Sequence, residues 1–186
     1  SITTKQEELD YCYTVTDKMS LLSLGRNAHF SNARFMGDFS LTLEEAQTAK
    51  CEYIARMCRM HEGSRVLDLG CGWGGMLRYF KTHYRVEETG VVFAEGQYRH
   101  CVETGLNVHY KDMRTVTPED FGIFDAVTAC GSFDHVLSYD EFLEGKQEEV
   151  YRRWFDTVAD LLPIGGRHYM QTMTFGRRII PRETWD

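Results

Sequence analysis

Short apolar runs alternate with segments of helical spacing along most of the chain. Residues 66–69 form a short apolar run that is typical of a buried strand, and further strands are predicted at residues 86–93, 107–110, 124–129 and 167–175. The segments with helical spacing lie between them, at residues 74–83, 95–104 and 147–162. Because strands and helices alternate, the pattern predicts an α/β fold with a doubly wound, mostly parallel sheet.

The region before the first strand has a different pattern. Apolar residues at spacings of three and four indicate an amphipathic helix over residues 5–24, which either covers the mouth of a site or packs on the domain. Residues 25–40 have no clear period, so we expect an irregular segment there, which we call the connector. We divide the chain into a helical cap with its connector (1–62) and one compact unit (63–186).

One further helix is predicted between the connector and the first strand. Thr42 is a suitable N-cap, and Glu45 stands at the third helical position, so the two residues complete a capping box. This helix is expected to run to about His61 and to end at Gly63, because glycine commonly terminates helices.

A glycine-rich turn follows the first predicted strand. Gly70, Gly72 and Gly75 satisfy the pattern G-x-G-x-x-G, whereas Gly70, Gly72 and Gly74 satisfy the tighter G-x-G-x-G. Glycines allow the backbone to bend tightly and to approach a ligand. The free N–H groups of the following helix would point at that ligand. The turn therefore predicts a nucleotide-type binding site.

Asp68, two residues before the first glycine, distinguishes between the possible ligands. A carboxylate here would repel the pyrophosphate of a dinucleotide, which disfavours an NAD-dependent oxidoreductase, as does the lack of a suitable acid after the second strand. S-Adenosylmethionine carries a sulfonium and an ammonium group, so Asp68 suits it electrostatically. The alternative structural role for Asp68 is a set of hydrogen bonds to loop amides.

Composition and charge limit the classes of partner. The chain has 186 residues, of which 42% are apolar and 26% charged, as in ordinary globular proteins. Its formal net charge of -7 argues against nucleic acid and allows at most transient membrane contact. A local basic patch is conceivable at Arg177, Arg178 and Arg182. No long apolar span or signal-peptide pattern is present, so a cytoplasmic location is expected, with homo-oligomers possible.

The six cysteines indicate neither a disulfide framework nor a metal site. They are scattered and include no C-x-x-C pair. Cys58 and His61 have a metal-like spacing, but no second pair of ligands accompanies them. We therefore expect no metal.

The glycine turn and its flanking segments resemble a known family. Residues 66–75 look like motif I of class I S-adenosylmethionine-dependent methyltransferases. The variant Gly-Cys-Gly-Trp-Gly, with residues 43–50 upstream and 90–97 downstream, is similar to the cyclopropane-fatty-acid and mycolic-acid methyltransferases. The resemblance covers residues 29–175 and implies a Rossmann-like fold. Family members continue with a further helix and an antiparallel strand pair, so we expect those C-terminal strands to be missing from this chain.

The resemblance implies a set of cofactor-binding residues at the carboxyl ends of the strands. Gln97 matches the family glutamine that hydrogen-bonds the ribose, with Glu95 as the alternative. Asp112 could accept from the adenine amino group while Met113 packs on the ring. Trp73 is expected to pack in the cofactor loop. The full predicted set is Asp68, Gly70, Cys71, Gly72, Trp73, Gly74, Gln97, Asp112, Met113 and Cys130.

The resemblance also identifies where catalytic chemistry would differ from the family. Cyclopropane synthases are thought to use a bound bicarbonate as base, held partly by a cysteine, a glutamate and a histidine. The matching positions here are Ala33, Asp134 and Gln171, so all three depart from the pattern. His135 could carry a proton near neutral pH, or could be a structural histidine. The predicted catalytic residues are Asp134, His135 and Gln171.

The sequence thus predicts an S-adenosylmethionine-dependent enzyme, with S-adenosylhomocysteine as its product. The resemblance implies methylation of carbon in an unsaturated fatty-acyl or lipid-like acceptor. Because the bicarbonate-type residues are changed, methylation of a polar small molecule or natural product remains an alternative. A catalytically inactive subunit that keeps the cofactor fold is a further alternative.

Overall fold

The structure, a computed structural model, describes residues 24–174, and five parallel strands form its centre. Its helices and strands, in chain order, are α1 (Leu43–Met57), β1 (Arg65–Leu69), α2 (Gly75–Tyr84), β2 (Glu87–Val92), α3 (Glu95–Glu103), β3 (Val108–Tyr110), α4 (Pro118–Phe121), β4 (Ala126–Cys130), α5 (Tyr139–Leu143), α6 (Gln147–Asp160) and β5 (Arg167–Gln171). Single 3-10 turns lie at Met113–Thr115 and Phe133–His135.

The strand order is β3-β2-β1-β4-β5, and every neighbouring pair is parallel. The order therefore reverses between β1 and β4, where ligands of open α/β sheets bind. Asp68 of β1 stands in register with Gly90 of β2 and Thr128 of β4. The predicted α/β, Rossmann-like parallel sheet is confirmed.

Alternate residues of the strands pack against different helices. Leu67 and Val127 belong to a core with Trp154 and Val158 of α6. Val66, by contrast, packs in a second core with α1 and α2. Because successive strand residues point to opposite faces, Asp68 shares the face of Val66 and lies on the α1 side of the sheet.

Two predictions for the chain before β1 are confirmed, namely the irregular connector and the start of α1, but the predicted end of α1 is wrong. Residues 24–41 contain no helix or strand, and Thr42 and Glu45 form the capping box. However, α1 ends at Met57 instead of continuing to His61. Arg59 takes a left-handed conformation (φ 55°), and Met60 N–H donates to Ala55 O at 2.9 Å, which closes the helix end.

Other element boundaries differ from the prediction by a few residues. β4 begins at Ala126 and not at 124, because Phe124 N–H donates to Leu161 O and so bonds no neighbouring strand. β5 ends at Gln171, while Phe175, the predicted end, lies outside the described residues. Residues 5–23 of the helix predicted over 5–24 also lie outside them. The short helices α4 and α5 were not predicted, although each begins with a capping box.

Candidate functional site

A cleft of about 1050 Å³, partly open to solvent, lies at the carboxyl ends of β1 to β4. Its walls are residues 28–31 of the connector, the glycine loop 70–76, the end of β2 and the turns after β3 and β4. Most of the predicted cofactor residues line it: Asp68, Gly70, Cys71, Gly72, Trp73, Gln97, Asp112, Met113 and Cys130. The topology thus brings together residues that are far apart in sequence, from Asp68 in β1 to Cys130 at the end of β4.

Close packing explains two of the glycines in the loop. Gly70 has a φ of 82°, and a Cβ there would collide with Ser132. Gly75 has no such backbone constraint, but a Cβ there would collide with the Asn27 carbonyl and the His29 ring. Gly75, the third glycine of the G-x-G-x-x-G pattern, therefore leaves room for the connector to pack against the loop.

The other two glycines differ in their surroundings. A Cβ at Gly72 would meet nothing within 4 Å, so this position leaves open space beside the cleft. Gly74 does not line the cleft; a Cβ there would collide with Leu106 and approach Cys101 Sγ to 3.0 Å. Gly72 therefore offers the approach to a ligand, whereas Gly74 packs against the protein.

Asp68 is a buried acid that faces the cleft. It is 3% exposed, and its Oδ1 accepts a hydrogen bond from Thr128 Oγ1 at 2.8 Å. Burial raises the pKa of Asp68 from 3.8 to about 6, although the Thr128 hydrogen bond and the Lys50 charge oppose this rise. At neutral pH the cleft therefore has a buried carboxylate at its base.

The two candidates after β2 point in different directions. Gln97, in the first turn of α3, is 6% exposed and lines the cleft. Glu95 is largely exposed, does not line the cleft, and pairs with Arg99 at 3.7 Å. The geometry therefore favours Gln97 over Glu95 for contact with a bound ribose.

Asp112 is fixed by a neighbouring arginine. Its Oδ2 accepts from Arg114 Nη2 at 2.7 Å, and its Oδ1 accepts from the Arg114 backbone N–H at 2.9 Å. Met113, between them, also lines the cleft. The Asp112 carboxylate is thus held in one orientation at the end of β3.

Three further predicted residues are enclosed by the protein. Trp73 is 3% exposed and stacks edge-on with His100, with ring centroids 5.3 Å apart. Cys71 packs closely against β2, because a Cβ added at Gly90 of that strand would lie 2.8 Å from Cys71 Sγ. Burial raises the pKa of Cys130, so its thiol stays neutral.

The three predicted catalytic residues are not brought together in the cleft. His135 is exposed and lines it, but Asp134 and Gln171 do not. Asp134 accepts hydrogen bonds from Thr172 Oγ1 and from Met173 N–H, and Gln171 Nε2 donates to Asn32 O at 3.3 Å. Asp134 therefore ties β4 to the chain after β5, and Gln171 ties β5 to the connector.

Sequence reasoning missed Lys50, which lies behind the cleft. Its side chain is only 2% exposed, and its Nζ donates to Ser31 Oγ at 2.7 Å and to Ser31 O at 3.2 Å. The signal was its place on the buried stripe of α1, where it takes a position otherwise expected to be apolar.

Two findings concern metals and membranes. Within residues 24–174, no group of three or more His, Cys, Asp and Glu side chains is arranged to hold a metal ion. The helices of the same region are too short or too polar for any of them to cross a membrane. The Arg177, Arg178 and Arg182 patch lies outside the described residues.

Comparison with known proteins identifies similar sequences. A family model described as mycolic acid cyclopropane synthetase matches residues 1–181. The chain is 31% identical over 144 residues to a probable fatty acid methyltransferase of Pseudomonas putida, covering 72% of the chain and 35% of that relative. It is 30% identical over 141 residues to cyclopropane mycolic acid synthase 2 of Mycobacterium bovis, covering 72% and 45%. The chain thus spans less than half the length of these relatives.

Solved structures share the fold. The cyclopropane synthase MmaA2 from Mycobacterium tuberculosis superposes with a TM-score of 0.72 at 24% identity, covering 92% of this chain and 58% of that one. A coclaurine N-methyltransferase bound to N-methylheliamine and S-adenosylhomocysteine superposes with a TM-score of 0.76 at 20% identity, covering 100% and 53%. Enzymes named for different acceptors therefore share this fold.

Proposed function

Because the chain belongs to the mycolic acid cyclopropane synthetase family, we propose that it binds S-adenosylmethionine and methylates carbon in an unsaturated fatty-acyl or lipid-like acceptor. The observation that carries the proposal is the cleft at the ends of β1 to β4. It combines an open glycine position, a buried carboxylate and two polar side chains that follow β2 and β3: Gly72, Asp68, Gln97 and Asp112. Relatives named as lipid methyltransferases and synthases support the acceptor class.

The residues of the cleft fit this cofactor chemically. Asp68 would orient the loop or the ammonium group, and Gly72 leaves room for the methionine part. Gln97 would hydrogen-bond the ribose hydroxyls, and Asp112 would accept from the adenine amino group beside Met113. When bound, S-adenosylmethionine supplies an electrophilic methyl group on its sulfonium. The chain would contribute alignment and exclusion of water.

His135 is the predicted catalytic residue that the geometry favours as a proton acceptor. Its imidazole lines the cleft, whereas Asp134 and Gln171 are engaged with residues around the end of β5. Methylation of an alkene leaves positive charge on the acceptor, so a base must remove a proton. In this proposal His135 would take that proton, and Asp134 and Gln171 would hold the surrounding segments.

The remaining features of the function are proposed from the sequence. Residues 1–62 would act as a cap and connector on the cofactor unit 63–186, consistent with the connector forming one wall of the cleft. The scattered cysteines are consistent with a cytoplasmic protein. Cell fractionation with a reporter fused to the chain would test that location.

Methyl transfer assays test the proposed acceptor. The protein is incubated with radiolabelled S-adenosylmethionine and vesicles of unsaturated phospholipid, with fully saturated vesicles as the matched control. We expect label only in the unsaturated lipid, and mass spectrometry should place the new carbon in the acyl chain. Label confined to polar small molecules would support the alternative acceptor and overturn the lipid assignment. Cofactor binding without any turnover would indicate a non-catalytic subunit.

The role of His135 has its own control. His135→Gln should lower turnover while leaving affinity for S-adenosylhomocysteine unchanged. His109→Gln is a suitable control, because His109 does not line the cleft and packs against Phe121 with centroids 4.6 Å apart. Equal turnover in the two variants would show that His135 is not the proton acceptor.

A further inference from the structure

Lys50 is an unusual component of the interior behind the cleft. Within residues 24–174, no other lysine or arginine is buried. Taking an ammonium group out of water is costly unless other groups compensate it. The compensation begins with Ser31, whose carbonyl and hydroxyl oxygens both accept from Lys50 Nζ. Ser31 itself lines the cleft, so Lys50 fixes part of the connector that forms one wall.

The Asp68 carboxylate projects from the face of the sheet on which α1 packs, so it lies on the same side of the sheet as Lys50. Burial raises the pKa of Asp68, and the Lys50 charge opposes this rise. Burial lowers the pKa of Lys50, and the Asp68 charge is one of several that oppose this fall. Asp68 lines the cleft and Lys50 does not. The carboxylate therefore lies on the ligand side and the ammonium on the protein side.

The other titratable groups around this pair are held neutral near pH 7. Burial lowers the pKa of His29 to about 4, with the charges of Lys50 and Arg78 adding to the effect. Burial raises the pKa of Cys51 to about 12 and also raises that of Cys130. A hydrogen bond with Cys101, with burial next, raises the pKa of Cys71. Lys50 and Asp68 thus dominate the local charge.

We propose that Lys50 is a positioning residue of the cofactor cleft, which supports the Asp68 carboxylate from behind and holds Ser31 as the facing wall. Only the ligand-binding part of this inference rests on the proposed cofactor function. A purely structural lysine would hold the connector through its hydrogen bonds to Ser31. A positioning lysine additionally favours the ionised form of Asp68, and that difference can be measured without any ligand.

The test compares the Asp68 titration in three proteins. The carboxyl carbon is followed by NMR in protein labelled with 13C-aspartate, and Asp68→Asn identifies the signal. In Lys50→Met, which keeps chain length but loses charge, we expect the Asp68 pKa to rise above its value of about 6. Ser31→Ala removes one Lys50 hydrogen bond without removing its charge, and it should leave the pKa of Asp68 unchanged. An unchanged Asp68 titration in Lys50→Met would overturn the proposal.

A double variant covers the case in which Lys50→Met does not fold. If the isolated Asp68 charge causes the failure, Lys50→Met combined with Asp68→Asn should fold again, because both buried charges are gone. Recovery of folding supports the charge coupling. If the double variant also fails to fold, Lys50 is required for the fold independently of Asp68, and the proposal is wrong.

Ligand binding then separates this inference from the proposed function. Affinity for S-adenosylhomocysteine should fall as Asp68 becomes protonated, and in Lys50→Met this fall should occur at higher pH. Lys50→Arg keeps the charge and should restore the pH profile toward that of the unaltered protein. If the unaltered protein binds no S-adenosylhomocysteine, the proposed function fails while the NMR titration still decides the role of Lys50.

Discussion

The two sides of the cleft differ in burial and in the origin of their contacts. On the glycine-loop side, Asp68, Trp73 and Gln97 are each less than a tenth exposed, and they lie in β1 or in the segments after β1 and β2. On the other side, which we call the β4–β5 end (residues 131–135 and 171–173), Asp134 and His135 are exposed. The first side is fixed by contacts within the sheet, whereas the second is held by hydrogen bonds between separate segments.

This difference explains why the cofactor is easier to infer than the acceptor. A buried acid and a close-packed glycine permit few alternatives, because any change is costly within a packed core. Exposed side chains at the β4–β5 end can change at little cost to stability. The three departures from the family pattern, Ala33, Asp134 and Gln171, fall on or beside this end. We therefore expect substitutions on the glycine-loop side to have large effects and those at the β4–β5 end to have small effects.

Substitution of Gly70 should give the largest loss of stability. Gly70→Ala introduces a Cβ at a φ of 82° and in collision with Ser132, so we expect a loss of about 3 kcal/mol or more from strain and overpacking together. Gly63→Ala is the matched control, since Gly63 has the same φ of 82° and nothing within 4 Å of its Cβ position. Urea unfolding should show only about 1–2 kcal/mol of strain there. Equal losses would contradict close packing at Gly70.

The pH dependence of stability should reveal two opposing groups on the buried side. Asp68 has a raised pKa, so its contribution to stability is present below 3.8 and is lost as pH rises toward about 6. His29 has a lowered pKa, so its contribution is present above 6.5 and is lost as pH falls toward about 4. Each shift corresponds to about 3 kcal/mol, and the two should largely offset each other.

Single variants separate these two contributions. In Asp68→Asn, the free energy of unfolding should fall by about 3 kcal/mol between pH 6.5 and 4, because His29 remains. In His29→Gln it should instead rise by a similar amount as pH falls from 6 to 4. Urea unfolding measured at several pH values provides the check. Parallel pH profiles for the two variants would show that the buried groups do not titrate as described.

Cofactor affinity should also differ between variants of the glycine-loop side and of the β4–β5 end, but by a smaller free energy. Asp68→Asn should weaken binding of S-adenosylhomocysteine by about 1–3 kcal/mol, through loss of a charged interaction. Asp134→Asn should leave the affinity unchanged, because Asp134 does not line the cleft. Isothermal titration of both variants gives the comparison. Equal weakening would place Asp134 in the cofactor site and would remove the contrast between the two sides.

The smallest expected effect concerns the contacts of Asp134. Asp134→Ala removes the acceptor used by Thr172 Oγ1 and Met173 N–H, so the chain after β5 should shift and turnover should fall. Stability should change by only about 1 kcal/mol, because the site is exposed. Thr172→Val and the double variant complete a cycle that should show coupling. Additive effects on turnover would mean that Asp134 acts without Thr172.

The sequence predicted the elements that have strong local signals. The parallel sheet and the capping box at Thr42 followed from periodicity and motif spacing. The positions of Gln97 and Asp112 beside the glycine loop were implied by the family resemblance. The end of α1 could not be located in this way, because Arg59 adopts a left-handed conformation that glycine usually takes. The prediction placed the end at Gly63 for that reason.

Tertiary contacts explain the features that could not be predicted from the sequence. In the sequence Lys50 looks like an ordinary helical lysine, but the packing of α1 on the sheet encloses it, and its Nζ donates to Ser31. Gly75 matched a dinucleotide pattern, although its small size accommodates Asn27 and His29 of the connector. Asp134 and Gln171 were placed at the catalytic centre by resemblance, but their hydrogen bonds are to segments whose positions no local pattern reveals.

The most direct test of the central claim is titration calorimetry of the unaltered protein with S-adenosylhomocysteine and, separately, with NAD. The claim is that the buried Asp68 carboxylate makes this cleft a site for an S-adenosylmethionine-type ligand and not for a pyrophosphate. We predict saturable one-to-one binding of S-adenosylhomocysteine, competition by S-adenosylmethionine, and no heat of binding with NAD. Saturable binding of NAD without binding of S-adenosylhomocysteine would contradict the claim.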